Sequence, residues 1–441
     1  MAMALAKTES CSDIVLEYQK GFGNEFASEA LAGALPVGQN SPQKSPLGLF
    51  SELVSGTAFS APRSLNRRSY LFRIRPSVSQ GVFGPLDNRN FLTPPLDIEP
   101  YPGPLRWAPF AMPEAPTDFI QGILTICGNG SPKDHVGMAV HSFAANRSMD
   151  ARAFSNADAE CLILPQIGGL RLVTEIGILH VRPGEVALVP KGMKFRVDLL
   201  DGPIRGFLCE NYGHPFVLPD LGLIGSHGLA NAIDFEVPVA AYEDKEGPVE
   251  LVHKLAGSLW SAELDHSPFD VVAWRGNWTP SKFDMRRFMV MGALNFDHPD
   301  PSIFCALSSP SSSVSGGNLD FMVLPPRWMV AEHTFRPPGF HRNCVAEFLS
   351  VIQGSHEARS SSFPPGSVSV HNSWTPHGPD FATYEAAREA DLAPVKIEDA
   401  LVFMFETRFP LEVASQALEG KNRQREGHRG WEGFRKRFPE G

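Results

Sequence analysis

Short apolar runs separated by glycine and proline constrain the fold of this chain more than any other feature. Between about residues 120 and 215, CLILP, LRLVTEI, EVALVP and FRVDLL follow one another with tight turns between them. After about residue 265 the same texture returns in FMVM, FDVVAWRG, DFMVLPPRWMV, AEFLSVIQG and ALVFMFET. With 39 Gly and 39 Pro and little helical periodicity, the sequence predicts a mainly β fold of barrels or sandwiches. Helices are expected only near residues 382–393 and 411–418.

In the first of these two series, GEVALVPKGMKF combines Gly184, Pro190 and Gly192. This pattern resembles a half-motif of cupin barrels, in which turn glycines place a histidine on the inner face of the following strand. Phe195, however, occupies the histidine position. We therefore expect the first barrel to be metal-free.

The second series carries the other half-motif, with His341, Glu347 and then a turn glycine. Side chains alternate along a strand, so His341 and Glu347, six residues apart, can share one face. A later histidine, His371 or His377, can return on a neighbouring strand, and spacing alone does not choose between them. Two imidazoles and one carboxylate are typical of non-haem Fe(II) oxygenases, although zinc hydrolases use the same ligand types.

Composition separates two predicted domains. The first comprises residues 1–286: a segment rich in Gly, Pro and Ser, extending to about residue 115, is expected to wrap a metal-free cupin-like barrel. The second comprises residues 287–441 and is predicted to be a cupin-like (jelly-roll) barrel that carries the metal. It ends in a basic segment with aromatic interruptions, KNRQREGHRGWEGFRKRF, for which a packed or frayed terminus is favoured over a binding element.

Net charge and cysteine spacing indicate the class of partner and the redox environment. A net charge of −10 without long blocks of like charge argues against nucleic acid or an anionic membrane as partner, which leaves a small molecule as the expected substrate. The six cysteines are scattered without a C-x-x-C pair, as in a protein with reduced thiols. No signal peptide and no run of about 18 apolar residues is found, so a cytoplasmic location is expected.

Long blocks spread over nearly the whole chain resemble the homogentisate 1,2-dioxygenase family. These blocks are GFGNEF, APRSLNRRSYLFRIRPSV, LPDLGLIGSHGLAN, VVAWRGNWTP, FDHPDPSIF, LPPRWMVAEHTFRPPGFHRNCVAEF, TPHGPD and FMFET. The resemblance implies an Fe(II) enzyme that opens homogentisate with O2 to maleylacetoacetate in tyrosine and phenylalanine catabolism. It also implies an N-terminal β domain, a C-terminal cupin-type barrel with the iron, and a homo-oligomer of trimers that pair into hexamers.

The resemblance also implies roles for individual residues. His341, Glu347 and His377 would bind the iron, and His371 would lie beside them and steady bound oxygen species. His298, in FDHPDP, would be the acid–base group that faces the substrate hydroxyl. His298 and His377 would both contact the substrate.

Three nearby departures from the family pattern bear on the substrate. His356 stands where the family has a substrate-contacting tyrosine, nine residues after Glu347. Ser350 replaces a smaller residue, and VHNSW near His371 replaces a less bulky segment. These changes motivate one alternative, the same chemistry on a different hydroquinone-type aromatic acid such as gentisate. An alternative of another class is a bicupin that has lost catalysis and serves as a binding protein.

Overall fold

The computed structural model describes residues 15–220, 230–290, 304–356 and 363–438. Over these residues strands dominate and helices are few, which confirms the predicted mainly β fold. The described residues form two compact units. One comprises residues 15–95, 111–217 and 231–284, and the other comprises residues 96–110, 218–220, 230 and the described chain from residue 285 onward.

The strands are numbered in chain order. The first fourteen are β1 Tyr18–Lys20, β2 Phe26–Glu29, β3 Phe50–Ser55, β4 Arg68–Arg73, β5 Gly84–Leu86, β6 Leu105–Trp107, β7 Ile123–Ser131, β8 Val136–Ala145, β9 Arg152–Asn156, β10 Glu160–Ile167, β11 Leu170–Thr174, β12 Gly177–Val181, β13 Glu185–Val189 and β14 Lys194–Leu199. The others are β15 Ile204–Asn211, β16 Phe235–Pro238, β17 Glu246–Leu255, β18 Ser258–His266, β19 Val271–Gly276, β20 Ser281–Asp284, β21 Cys305–Ser309, β22 Leu319–Leu324, β23 Arg327–Met329, β24 Ala346–Gln353, β25 Val368–His371, β26 Val395–Ile397, β27 Leu401–Thr407 and β28 Glu412–Val413. The helices are α1 Phe381–Glu389 and α2 Ser415–Glu419.

The first unit packs two large sheets around one apolar core. One sheet contains the order β1-β16-β20-β13-β10-β15-β8-β7, and the other has the order β12-β11-β14-β9-β17-β18-β5. The buried core draws apolar side chains from both sheets, and Phe195 lies inside it, edge-on to Phe154 at 5.4 Å between ring centroids. The residue that replaces the half-motif histidine is therefore part of an aromatic core.

Strands from the first 115 residues extend the sheets at their margins. β1 and β5 lie at sheet edges, and β2, β4 and β3 join β19 in a separate sheet. β6 lies at the edge of the second unit's sheet, next to β25. This segment therefore contributes edge strands in addition to its extended stretches.

The second unit is built on a sheet of order β21-β22-β27-β24-β25-β6, with β23 and β26 as a separate pair. Alternation along β24 and β27 separates two faces. Phe348 and Phe405 lie directly opposite each other on one face, while their neighbours Glu347 and Glu406 lie opposite each other on the second. α1 lies close to its predicted position, and α2 begins at Ser415, after the short strand β28. Among the described residues, no helix combines the length and apolarity needed to cross a bilayer.

Candidate metal centre

The carboxylate of the site is positioned by the sheet of the second unit. Glu347 lies on β24 directly opposite His371 of β25 in antiparallel register. Directly opposite residues project from the same face, so the two side chains meet: Nδ1 of His371 lies 3.7 Å from Oε2 of Glu347. Both side chains are buried.

His341 and His377 reach the site from segments outside the regular strands. Their backbones form an isolated antiparallel bridge, in which His341 N donates to His377 O at 3.0 Å and His377 N donates to His341 O at 3.1 Å. β24 begins only at Ala346, after a bend, so His341 and Glu347 do not share one strand face as the spacing suggested. The rings of His341 and His377 lie 4.2 Å apart between centroids.

Hydrogen bonds to the backbone set the orientation of both imidazoles. Nδ1 of His341 lies 2.8 Å from the carbonyl oxygen of Gly339, and Nδ1 of His377 lies 2.8 Å from that of Thr375. A carbonyl oxygen only accepts, so each Nδ1 carries the proton and each Nε2 is the nitrogen with a lone pair to offer a metal. Nε2 of His377 indeed lies toward the carboxylate, 3.2 Å from Oε2 of Glu347.

The three side chains together fit a divalent transition metal. One ligand atom from each of His341, Glu347 and His377 lies within 4.8 Å of the others. Metal bonds of about 2.0–2.2 Å to nitrogen and oxygen place ligand atoms at most roughly 4 Å apart, so a small closure brings these three onto one ion. His341 is exposed whereas the other two are buried, so the site is accessible from one side.

Buried neighbours tune the carboxylate. Burial acts to raise the pKa of Glu347, but His371 and His377 outweigh it and hold the pKa below its usual range. Glu406 faces Glu347 across the strands, and burial together with the Glu347 charge raises the pKa of Glu406 to about 8. The His371 ring stacks parallel on that of His377, at 4.5 Å between centroids. The site thus favours an ionised Glu347 beside a protonated Glu406.

Asn343 is a residue of this site that the sequence analysis did not single out. Its Nδ2 donates to Oε1 of Glu347 at 2.6 Å, on the oxygen that does not face the imidazoles. The backbone carbonyl oxygen of Asn343 accepts a hydrogen bond from Trp374 N at 2.7 Å. Its place in HRNC, between the candidate ligands, was the available signal, but an asparagine in that position has no spacing rule that reveals its contact.

A cavity of about 680 Å³ lies against the two histidines. This volume is typical of small-molecule sites in proteins. The residues that line it are Phe340, His341, Arg342, Pro376, His377, Trp431 and Phe434. The last two belong to the basic C-terminal stretch, which is therefore packed beside the site.

Two further residues, His298 and His356, were predicted to take part in the site. His298 lies outside the described residues. His356 is buried and lines a separate small pocket together with Arg327 and Ser355. Its contact with substrate stays a prediction, as does the acid–base role of His298.

Comparison with known families accounts for almost the whole chain. The model for the N-terminal part of homogentisate 1,2-dioxygenase matches residues 17–285, and that for the C-terminal part matches residues 286–438. The chain belongs to the homogentisate 1,2-dioxygenase family. This confirms the predicted family and, with it, the class of ring-cleaving dioxygenases.

Solved structures similar to the chain include several of low identity. A protein of unknown function from Pseudomonas syringae pv. tomato has 12% identity and a TM-score of 0.31, over 70% of this chain and 100% of that chain. A cupin 2 conserved barrel domain protein from Leptotrichia buccalis has 8% identity and a TM-score of 0.27, over 65% and 88%. Salicylate 1,2-dioxygenase from Pseudoaminobacter salicylatoxidans, in complex with gentisate, has 11% identity and a TM-score of 0.26, over 65% and 74%. At these TM-scores the likenesses support no conclusion about the site.

Proposed function

We propose that the chain is an Fe(II)-dependent dioxygenase that opens the ring of homogentisate with O2, incorporating both oxygen atoms to give maleylacetoacetate. The observation that carries the proposal is the convergence of His341, Glu347 and His377 beside a cavity of small-molecule size in a member of this family. Two neutral imidazoles and one carboxylate are the facial set of non-haem Fe(II) oxygenases. Zinc shares these ligand types, and the family favours iron.

The residues of the chain would hold the metal and prepare the substrate. The proposed ligands are Nε2 of His341, Nε2 of His377 and the carboxylate of Glu347. The Nδ1 of each histidine donates to a backbone carbonyl, and Oε1 of Glu347 accepts from Asn343, so all three ligands are held in orientation. When bound, ferrous iron would supply Lewis acidity toward the substrate phenol and a path for electrons from the substrate to O2. His371, stacked on His377, is proposed to steady the oxygen-binding side of the site.

His298 is proposed to take a proton from the substrate hydroxyl and to return it during ring opening. The proposal is carried by the family resemblance. A His298→Ala variant should therefore keep its iron but lose most of its turnover. Full activity of this variant would contradict the assigned role.

Reconstitution tests the function directly. Purified protein is loaded anaerobically with ferrous iron, mixed with homogentisate and aerated, and O2 uptake is followed together with the yellow ring-opened product. We expect one iron per chain, one O2 consumed per homogentisate, and loss of both in His341→Ala and His377→Ala. His135→Asn is a matched control, because His135 is an exposed histidine far from the ligands in sequence. Its backbone is in the left-handed region, and asparagine tolerates that conformation.

The same experiment separates the alternatives. His356 in place of the family tyrosine motivates a different hydroquinone acid, and faster O2 uptake with gentisate than with homogentisate would favour it. One iron per chain without O2 uptake on either acid would contradict the proposed substrate, and failure to bind iron would favour a non-catalytic bicupin.

A cytoplasmic location and assembly as trimers or hexamers are further proposals from the family resemblance. Light scattering of the purified protein tests the oligomeric state.

A further inference from the structure

Within the last described residues of the chain, 427–438, which we call the C-terminal segment, Trp431 and Phe434 form one wall of the cavity beside His341 and His377. The segment's 3-10 turn Gly427–Trp431 ends at a tryptophan whose Nε1 donates to Pro379 O at 3.0 Å. Pro379 lies two residues after the proposed ligand His377. This wall is therefore hydrogen-bonded to the loop that carries the proposed metal ligand His377.

Phe434 brings a second aromatic ring to the cavity. Gly433 precedes it with φ 111°, a backbone conformation that residues other than glycine rarely adopt. The Phe434 ring then packs edge-on against Phe340 and Phe381, at 5.3 and 5.1 Å between centroids. Phe434 keeps 37% of its surface exposed and Phe340 keeps 55%. Two accessible aromatic rings therefore border the space in front of the histidines.

Arg342 adds a positive charge to the same cavity. It follows the proposed ligand His341 in the chain, and its side chain is exposed. Within the described part of the chain it makes no hydrogen bond and no ion pair. The nearest carboxylate of the site, Glu347, is already engaged by Asn343 and His377. The guanidinium is thus available to an anion that enters the cavity.

An aromatic acid can contact both the aromatic rings and the Arg342 guanidinium of this cavity at the same time. A guanidinium matches a carboxylate through two parallel N–H···O bonds. Aromatic side chains hold a second ring in edge-to-face or offset contact. A neutral apolar compound would use the wall and leave the cation solvated, and a simple anion would use the cation and leave the wall exposed.

We propose, on the basis of the function proposed above, that Arg342 binds the carboxylate of the substrate while Trp431 and Phe434 pack against its ring. The cavity then selects hydroquinones that carry an acid group. The C-terminal segment, which the sequence suggested to be only a packed or frayed terminus, becomes a determinant of specificity.

Anaerobic equilibrium binding to the iron-loaded protein tests the role of Arg342. The probes are homogentisate and methylhydroquinone, which has the same ring and hydroxyls without the carboxylate. We expect Arg342→Met to raise the Kd of homogentisate roughly 10- to 100-fold, the range of one charge-assisted hydrogen-bond pair. The Kd of methylhydroquinone should stay within about twofold, Arg342→Lys should recover part of the loss, and the control Arg435→Met should change neither Kd. Equal effects on both probes, or no effect on homogentisate, would overturn the role of Arg342.

The aromatic wall is tested with the same two probes. Phe434→Ala should weaken both to a similar degree, by roughly tenfold, because it removes ring contacts that both make. Phe438→Ala is the matched control, since Phe438 is in the same segment, 80% exposed and not part of the cavity. Trp431→Phe should show the same pattern as Phe434→Ala in milder form. Unchanged affinity for both probes in Phe434→Ala would remove the wall from the site.

Oxygen uptake, measured beside homogentisate binding, distinguishes failure of this inference from failure of the proposed function. A wild-type protein that binds homogentisate in an Arg342-dependent way but consumes no O2 would contradict the function and support the binding mode. Rapid uptake with an unchanged KM for homogentisate in Arg342→Met would support the function and contradict the binding mode. Wild-type protein with no affinity for homogentisate would overturn both.

Discussion

His341 and His377 are tied to each other through their backbones, each amide donating to the carbonyl of the other at 3.0 and 3.1 Å. The backbones that carry the two imidazoles are therefore held together, and β24 brings Glu347 to them. The geometry of the proposed metal site depends on how closely the two histidine-bearing segments approach. Gly378, next to His377 in the chain, lies against Phe340, the residue before His341.

Gly378→Ala is predicted to weaken metal binding. A Cβ at this position would lie 2.7 Å from the Phe340 ring and 3.0 Å from the Phe340 Cα, so the backbone must shift. We expect a loss of roughly 10- to 100-fold in affinity, the range for groups that orient metal ligands. Anaerobic titration with Fe(II) measures it. Gly339→Ala is the control, because a Cβ there meets nothing within 4 Å. Equal affinities in the two variants would contradict the prediction.

Asn343→Ala is predicted to lower metal affinity by a different route. The variant loses the 2.6 Å hydrogen bond to Oε1 of Glu347, so the carboxylate is free to rotate away from the histidines. A loss of roughly 10- to 100-fold is expected for the alanine variant. Metal titration checks it against Cys344→Ala, and an unchanged affinity would show that Asn343 does not orient the ligand.

Local patterns were sufficient to predict the β fold and to single out His341 and Glu347 as a candidate pair. Alternation and turn residues are properties of neighbouring positions, so they predicted β24 and the strands around it. The histidine and glutamate of HRNCVAE were recognisable from their spacing. Spacing could not choose between His371 and His377, because both return to Glu347, one across the strand register and the other from a loop.

Contacts between distant segments were beyond sequence reasoning. The sequence did not indicate that His341 bonds to His377 through the backbone, since such a bridge depends on two loops meeting. For the same reason it did not predict that Trp431 would hydrogen-bond to Pro379, or that Glu406 would face Glu347. In each case the partner is set by strand register or by packing of the chain end, which no local pattern encodes.

A buried ion pair in the first unit also escaped the sequence analysis. Lys254 is fully buried, and its Nζ lies 2.7 and 2.8 Å from the two carboxylate oxygens of Glu210. Tyr212 and Asn156 donate further hydrogen bonds to Glu210, at 2.8 and 2.6 Å. The carboxylate is therefore saturated with donors in a core that excludes water.

Lys254→Met is predicted to destabilise the first unit by about 3–5 kcal/mol, because it leaves the Glu210 charge buried without its cation. Thermal unfolding measures the loss, with the exposed Lys421→Met as control. Adding Glu210→Gln to Lys254→Met should recover part of the stability, since the double variant no longer buries an unpaired charge. If the double variant were as unstable as the sum of the two single variants, the penalty would not come from the ion pair.

Glu160 is predicted to make the stability of the first unit depend on pH. Burial raises the pKa of Glu160 to about 7, even though Phe216 N donates to its Oε2 at 2.7 Å and Lys191 and Arg67 lie nearby. Between pH 4.5 and 7 the folded protein then binds more protons at this group than the unfolded chain, so stability falls as pH rises through this window. Above pH 7 the full penalty, roughly 3 kcal/mol, remains.

Glu160→Gln should remove this dependence while keeping an oxygen to accept from Phe216 N. The unfolding temperature of the variant, relative to wild type, should therefore be higher at pH 8 than at pH 5 by several degrees. Glu246→Gln is a suitable control because that carboxylate is exposed, so the same comparison should give little change. A constant difference between variant and wild type across this pH range would mean that Glu160 is ionised in the folded protein at pH 5, stabilised by Arg67 and Lys191 more strongly than burial opposes it.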